Sequence, residues 1–243
     1  MRDPYLYEDA DVLRNLGNIR DPDLLRKAEA DLTNIAMTSL YFHQFERFDT
    51  KTLQEIHRMI FGQIYPWAGQ FRTIPIIKRE DILGGDSVRY AFPDEIREQL
   101  DVTMKDLSGL IRTGENDEDI VFRLTRNVAA IWQTHPFREG NTRAVIVFAV
   151  LFAKKLGFDV RHELFRKHAA YVRNALVWSS QGKYSKYEYL EEIFRDALLG
   201  EKHPTDDLPP AADLKYQKIG EYELSGYTEQ PHLPYDPEEE KKR

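Results

Sequence analysis

The chain has 243 residues, of which 42% are hydrophobic and 12% aromatic, enough for a substantial core. A formal net charge of -7 and a pI of about 5.6 disfavour general affinity for nucleic acid, and the absence of cysteine excludes a disulfide scaffold or a thiolate metal site. No apolar run approaches the roughly 20 residues that span a bilayer, and the N-terminus lacks a signal-peptide pattern. We therefore expect a cytoplasmic protein without a membrane partner, although secretion without such a signal stays open.

The first part of the chain predicts an arm followed by two helices. Residues 1–21 are polar and tyrosine-rich, which indicates an ordered N-terminal arm. Apolar residues recur at helical spacing over 23–45. Asp49 or Thr50 is a suitable N-cap for the second helix, which must end near Pro66 because proline cannot continue it.

Residues 71–91 break the helical pattern and predict a β-hairpin. The stretch FRTIPIIKRE is rich in β-formers, GGDS is a turn, and VRYAF resumes extended character. Pro75 has no N–H, so its strand is expected at an edge. Side chains alternate along a strand, which places Ile74, Ile76 and Lys78 on one face.

The rest of the chain reads as helices and then a tail. Pro93 and Asp94 open one helix, and further helical patterns cover 117–133, 143–156, 162–180 and 185–198. From residue 201 the composition shifts to proline and charge, which indicates a linker or a partly ordered tail over 201–243. We expect a mainly α-helical domain over 22–200 with one β-hairpin.

Polar chemistry is concentrated in THPFREGNTRAV, residues 134–145, between two apolar helical runs. Pro136 ends the first helix and Gly140 allows the chain to turn. The second helix is expected to start near Asn141 or Thr142, and its first N–H groups have no partner within the helix. Such a helix start carries partial positive charge and forms an anion cradle of the kind that holds phosphates.

The side chains of the stretch supply matching chemistry. Arg138 and Arg143 can add charge-assisted hydrogen bonds to an anion. Glu139 offers a hard oxygen ligand, suited to a Mg²⁺ ion that bridges phosphates. His135 can accept a proton from an attacking hydroxyl near neutral pH.

A purely structural interpretation exists for each residue taken alone. Asn141 serves well as an N-cap, Gly140 as a turn residue, and His135 as a loop histidine with satisfied hydrogen bonds. All of them within nine residues, between two helices expected to be buried, favours a functional site.

At this point a family resemblance is visible. Residues 135–143, HPFREGNTR, resemble the signature of the Fic family, HxFx(D/E)GN(G/K)RxxR. Residues 65–73, YPWAGQFRT, resemble the segment that leads into the family's flap, and residues 11–15 its N-terminal arm. The resemblance implies a Fic-type helical bundle with a β-hairpin flap over 71–91 and an active loop over 135–143.

The resemblance also implies an activity. Most Fic proteins transfer AMP from ATP to a Ser, Thr or Tyr hydroxyl of a target protein. By resemblance, His135 would deprotonate the hydroxyl and Glu139 would hold Mg²⁺ against the phosphates. Gly140, Asn141 and the following backbone would form the anion hole, and Arg143 would grip a phosphate, while the phenylalanine of the signature would anchor the loop in the core.

A target-binding role for the flap follows from the same resemblance. In the family the flap pairs with the backbone of the target protein, which is β-strand addition. Ile74, Ile76 and Lys78 would then contact the target. The alternative is that the isoleucines simply cover the core.

Two departures from the family pattern leave alternatives open. Thr142 replaces the usual second glycine, and its β-branched side chain could crowd the phosphates. Ile146 replaces the usual second arginine, for which Arg138, Lys78 or Arg79 could compensate. Transfer of another phosphate-containing group, as in a kinase, and a degenerate module that binds nucleotide or a partner without turnover are the two alternatives.

Inhibition by the chain itself has weak support in the sequence. Residues 225–229 have the spacing of the family's inhibitory motif (S/T)xxxE(G/N), but Gln230 follows. Gly226 and Pro231 oppose a helix there, so we interpret the match as coincidence. A separate antitoxin-like inhibitory protein is then the candidate partner.

Overall fold

The computed structural model describes residues 3–200, 215–217, 219 and 230–231, and these are mainly α-helical. The prediction of a mainly α protein is confirmed. The helices of residues 3–200 are α1 (Pro22–Leu40), α2 (Thr50–Phe61), α3 (Ile96–Ser108), α4 (Asp117–Thr134), α5 (Asn141–Lys155), α6 (Glu163–Lys167), α7 (Ala169–Ser179) and α8 (Glu188–Leu199).

Helix α5 is the centre of the core. Every residue over 144–153 is buried, as expected for a helix that is apolar all round. It packs between α2 and α4, while α1 covers α2, α3 packs on α4, and α8 packs on α4 and α7. The loop at 135–140 joins α4 to α5, so two helices of the core fix the predicted active loop from both ends.

Side-chain caps set the beginnings of the first two helices. The Asp21 carboxylate accepts hydrogen bonds from the N–H groups of Asp23 and Leu24. Asp49 accepts from the Thr52 N–H, so of the two candidate caps for α2 the aspartate is the one used.

The N-terminal arm lies against the segment that follows α2. Its two halves meet at a bridge between Leu6 and Leu13. The Leu16 N–H donates to the Ile64 carbonyl at 2.8 Å, and the buried Tyr5 ring meets Trp67 edge to face at 5.4 Å. The arm is therefore part of the packed structure, as the sequence predicts.

The flap segment differs from the predicted hairpin. Its first arm contains a short strand, β1 (Ile76–Ile77), and its turn contains a 3₁₀ segment at Asp81–Leu83. Within the described residues the two arms meet at one bridge, between Arg79 and Ser87. The Ser87 Oγ accepts the Lys78 N–H at 3.2 Å, so a side chain takes a backbone donor that a ladder would use. The turn was correctly predicted, but the second strand was not.

Strand β1 pairs instead with the C-terminal region. Its partner is β2 (Gln230–Pro231), antiparallel, with Ile76 opposite Pro231 and Ile77 opposite Gln230. This pairing brings residues 230–231 to the flap.

Most of the predicted tail over 201–243, including the motif at 225–229, lies outside the described residues. Its described part begins on the helical core, where Tyr216 donates to the Asp196 carboxylate and the Asn174 amide donates to the Ile219 carbonyl at 2.5 Å. Among the residues that the structure describes, no helix combines the length and apolar character needed to cross a bilayer.

Candidate active site

The active loop is held in shape by its own residues. His135 ends α4 in the left-handed region, at φ 49° and ψ 58°. The Asn141 side chain braces the loop, because its Oδ1 accepts the Phe137 N–H at 2.9 Å and its Nδ2 donates to the Phe137 carbonyl at 2.8 Å. Phe137 itself is fully buried, so it anchors the loop in the core.

Gly140 is required at the start of α5 for two separate reasons. Its φ of 80° lies in the region that favours glycine. A Cβ at this position would lie 2.1 Å from Cζ of Phe61, which is fully buried on α2. The sequence predicts a turn at this glycine, and the structure adds an aromatic ring of the protein as a neighbour that requires it.

His57 on α2 contacts the active loop and helps to fix its shape. Its ring stacks on Phe137 with centroids 3.8 Å apart. Its Nδ1 accepts the Gly69 N–H at 2.8 Å, so Nε2 carries the proton that is donated to the Glu139 carbonyl at 2.9 Å. Burial lowers the pKa of His57 to about 3, which keeps the imidazole neutral.

Sequence reasoning missed His57, although a signal existed. Within α2 the histidine directly follows Ile56 and precedes Ile60 by three residues, and all three side chains are buried. A polar residue within an apolar stripe needs hydrogen-bond partners, which points to a role in fixing neighbouring backbone.

Arg72 joins the base of the flap to the active loop and was also missed. Its buried guanidinium donates to the carbonyls of His135 at 2.8 Å, Ile74 at 2.7 Å and Ala91. Its backbone N–H donates to the Pro136 carbonyl at 2.8 Å. The hydrogen bonds of Arg72 therefore link the base of the flap directly to the active loop.

His135 lies in an aromatic pocket and is only 1% exposed. Its ring stacks on Tyr90 at 4.1 Å, and its Nδ1 lies 3.3 Å from the Trp132 carbonyl. A carbonyl can only accept, so Nδ1 carries a proton, and in the neutral form of the ring Nε2 then carries the lone pair. This tautomer suits a general base at Nε2.

A buried ion pair lies behind the Tyr90 ring. The Tyr90 hydroxyl donates to Glu80 at 3.2 Å, and Glu80 meets the Arg173 guanidinium at 2.6 Å. Burial raises the pKa of the Glu80 carboxyl, and Arg173 opposes that rise. Since Glu80 belongs to the flap and Arg173 to α7, the pair ties the flap turn to the helical core beside His135.

Arg143 is placed at the start of α5 by residues of α1. Its Nη2 lies 2.5 Å from the Glu29 carboxylate, and its Nη1 donates to the Thr33 hydroxyl at 3.1 Å. The guanidinium also covers the Phe61 ring at 4.7 Å and lies 3.8 Å from the Glu139 carboxylate. The structure therefore brings Glu139 and Arg143 together.

Glu139 is the predicted metal ligand. Its Oε1 accepts the Gly140 N–H at 2.8 Å, which holds the carboxylate at the start of α5. The described residues contain no group of three or more His, Cys, Asp and Glu side chains that could hold a metal ion. Mg²⁺ commonly uses one or two carboxylates together with substrate phosphates, so a single glutamate in this place fits the predicted ion.

Arg138 is bound to the N-terminal arm. Its Nε and Nη2 lie 2.9 and 2.7 Å from the Asp3 carboxylate, with side chains 4% and 1% exposed. A phosphate contact for Arg138 stays a prediction, and it would require the guanidinium to leave the arm.

The two departures from the family signature lie on α5. The Thr142 hydroxyl accepts the Trp132 indole N–H at 2.9 Å, which directs the threonine side chain toward α4. Ile146 is 6% exposed and belongs to the core. The first departure is thus matched by a partner on α4, and the second is a packing residue.

The predicted flap residues are split by burial. Ile74 and Ile76 are 8% and 6% exposed, whereas Ile77 is 37% exposed and Lys78 is half-buried. Ile74 and Ile76 cover the core in this conformation, so the main-chain edge of β1 is the part of the flap that can meet another strand.

Comparison with known proteins places the chain in a family. The sequence pattern of the Fic/DOC family matches residues 47–153. The chain is 30% identical over 172 residues to the probable protein adenylyltransferase Fic of Escherichia coli K12, an alignment that covers 69% of this chain and 80% of that protein. The chain therefore belongs to the Fic/DOC family.

A longer relative is the protein adenylyltransferase of Bartonella henselae, 30% identical over 214 residues. That match covers 82% of this chain but only 38% of the relative. Among solved structures, the BepC protein of Bartonella tribocorum with bound AMPPNP aligns with a TM-score of 0.66 at 22% identity, covering 82% of this chain and 97% of that one. The likeness to BepC confirms the Fic fold.

Proposed function

We propose that the protein is an adenylyltransferase that moves AMP from ATP to a Ser, Thr or Tyr hydroxyl of a target protein. Relatives with this name support the proposal. The observation that carries it is the 3.3 Å contact between His135 Nδ1 and the Trp132 carbonyl, which assigns the proton of a neutral ring to Nδ1, in the loop that precedes α5. A base nitrogen beside a helix start suits the transfer of a phosphate-containing group to a hydroxyl, because the nitrogen can take the hydroxyl proton while the helix start binds the phosphates.

In this mechanism His135 acts as the general base. Its Nε2 accepts the proton of the target hydroxyl while the hydroxyl oxygen attacks the α-phosphorus of ATP. The bond from the α-phosphorus to the bridging oxygen breaks, and pyrophosphate leaves with the electron pair. The new bond joins AMP to the target side chain.

The start of α5 binds the phosphates in this proposal. The backbone N–H groups after Gly140, at Asn141 and Thr142, point at the anion, and Arg143 adds a charged donor. Phosphate transfer depends mainly on positioning and charge neutralisation. Mg²⁺ held by Glu139 would supply further neutralisation of the phosphate charge.

The flap supplies the target-binding surface. An extended segment of the target pairs with the main chain of β1, which gives affinity without strong sequence selection. Exposed Ile77 and half-buried Lys78 are the flap side chains placed to contact it, while Ile74 and Ile76 support the strand. A cytoplasmic setting and a separate antitoxin-like inhibitor belong to the proposal as well.

Kinase-like transfer is the second candidate, because Thr142 and Ile146 stand where the family has glycine and arginine. We would incubate the protein, with Mg²⁺ and cell extract, with ATP labelled at the α- or the γ-phosphate. Label from the α position alone supports adenylylation, and label from the γ position alone rejects it in favour of kinase-like transfer.

The matched variants are His135→Ala and, on the surface, His43→Ala. We expect the first to abolish labelling and the second to leave it unchanged. No labelling by the wild type from either position would identify a module that binds without turnover.

A further inference from the structure

The edge of β1 that a target strand would use is taken by the chain itself. Gln230 and Pro231 lie antiparallel to Ile77 and Ile76. We propose that the C-terminal segment around Gln230–Pro231 is an intramolecular ligand of the flap and competes with the target strand. The competition rests on the proposed function, but the occupancy of the flap does not.

The main-chain groups of β1 that a target strand would use are taken by β2. The return arm of the flap meets the residues just after β1, at the Arg79–Ser87 bridge and at the Lys78 N–H bound to the Ser87 Oγ. β2 pairs with Ile76 and Ile77 themselves. One edge of a strand cannot pair with two strands at once, so a target strand on that edge must displace β2.

The pairing between β1 and β2 is weak enough for another strand to displace it. It spans two residues, and Pro231 has no N–H to donate to β1. So short a ladder is marginal by itself in water. The segment therefore holds the flap only while no better strand is present.

The attachment of the C-terminal segment to the core raises its local concentration at the flap, which offsets its weak pairing. Ile219 is buried, and its carbonyl accepts the Asn174 amide at 2.5 Å, so the tail is fixed to the core eleven positions before Gln230. A short tether gives an effective concentration on the order of millimolar, which suffices for a weak intramolecular contact. A target segment must exceed this competition to bind.

Disulfide trapping in the full chain tests the occupancy, since the protein has no cysteine of its own. The double variant Ile77→Cys/Gln230→Cys places thiols on opposed residues, whose Cα atoms in antiparallel pairs are about 4.5–5.5 Å apart, within disulfide range. We expect mild oxidation to give mainly an intramolecular disulfide in the monomer. The control Ile35→Cys/Gln230→Cys uses an exposed residue of α1 and should cross-link far less.

The competition is tested on the same double variant. The oxidised form should transfer at least about tenfold less label to target proteins than the reduced form, while calorimetry shows equal affinity for ATP. A yield no higher than the control, or a link between two copies, overturns the occupancy. Equal transfer by the two forms overturns the competition.

A substitution that weakens the pairing should have the opposite effect. Gln230→Pro removes the remaining N–H of β2, and we expect target labelling to rise several-fold. Glu239→Pro, elsewhere in the tail, is the control and should leave labelling unchanged, and an equal rise in both variants would contradict the proposal. If the reduced double variant and the wild type both fail to transfer, the proposed function fails, and the cross-link yield still decides whether the tail occupies the flap.

Discussion

Glu29 binds Arg143 across the site, with the Arg143 Nη2 2.5 Å from one carboxylate oxygen and the Tyr65 hydroxyl donating to the other. Glu29 lies on α1, outside the region over 47–153 that matches the family pattern. Burial, followed by the charge of Glu29, raises the pKa of Tyr65, so its hydroxyl remains a donor. A helix outside the family core thus orients the arginine that we assign to the phosphates.

Removing the Glu29 side chain should weaken nucleotide binding. In Glu29→Ala the Arg143 side chain loses its nearest charged partner and becomes more mobile, so we expect the affinity for ATP with Mg²⁺, measured by calorimetry, to fall about tenfold, equivalent to about 1.4 kcal/mol. Glu29→Gln keeps an acceptor and should stay within about threefold of the wild type.

The control for these variants is Asp31→Ala, an exposed acidic residue on the same helix. It should bind ATP as the wild type does. Tighter binding by both Glu29 variants would mean that the carboxylate competes with the phosphates for Arg143, and the orienting role would be wrong.

The Asp3–Arg138 pair predicts a stabilising role for the N-terminal arm. Asp3→Ala removes the carboxylate that meets a guanidinium only 4% exposed, which should lower the free energy of unfolding by about 3–5 kcal/mol. Asp9→Ala breaks an exposed pair with Arg20 and should leave the urea midpoint unchanged. Equal effects of the two substitutions would show that Asp3 does not hold the active loop.

Local patterns predicted the helices and the loop between α4 and α5, because the signals lie within a few residues. Caps such as Asp49, the apolar run of α5 and the turn at Gly140 all act over one or two helical turns. The partners of the two arginines could not be found in this way. Asp3 and Glu29 look like ordinary surface acids in the sequence, and they reach Arg138 and Arg143 only through the tertiary fold.

The flap also shows that local sequence patterns do not predict contacts between distant segments. The residues of its return arm alternate as a strand should, yet Ser87 replaces a backbone acceptor with its side chain. The strand that does pair with β1 comes from residues 230–231, in a tail whose composition predicted little structure. Pairing between distant segments depends on where the chain ends are held, which local propensity does not encode.

Substitutions at Gly140 and Gly84 can distinguish the stability lost to backbone strain from the stability lost to steric overlap with Phe61. Gly140→Ala adds a left-handed alanine, costing about 1–2 kcal/mol, and forces Cβ into the Phe61 ring, costing about 1–3 kcal/mol more. Gly84 has a φ of 67° with open space around it, so Gly84→Ala should show only the first cost in urea unfolding.

A double variant checks the steric part. Phe61→Leu shortens the side chain that meets the new Cβ, so Gly140→Ala/Phe61→Leu should lose less stability than the sum of the two single changes. Strict additivity would show that the Phe61 ring does not restrict this position.

His57 predicts a dependence of stability on pH. Burial lowers its pKa to about 3 in the folded protein, against 6.5 for an exposed histidine. Between these values the unfolded chain binds a proton that the folded chain does not, so stability is fully present above pH 6.5 and is lost as the pH falls toward 3. Each pH unit inside this window costs about 1.4 kcal/mol, or about 2 kcal/mol between pH 7 and pH 5.

Urea unfolding of the wild type and of His57→Gln at several pH values tests this origin. The variant should be less stable at pH 7, because it loses the stacking on Phe137 and the hydrogen bond from Gly69. It should also lose less stability on acidification, since glutamine takes up no proton in either state, and the two curves should converge toward pH 5. Parallel curves would mean that His57 takes up its proton at the same pH in the folded protein as in the unfolded chain, and its hydrogen bond from Gly69 would then be wrong.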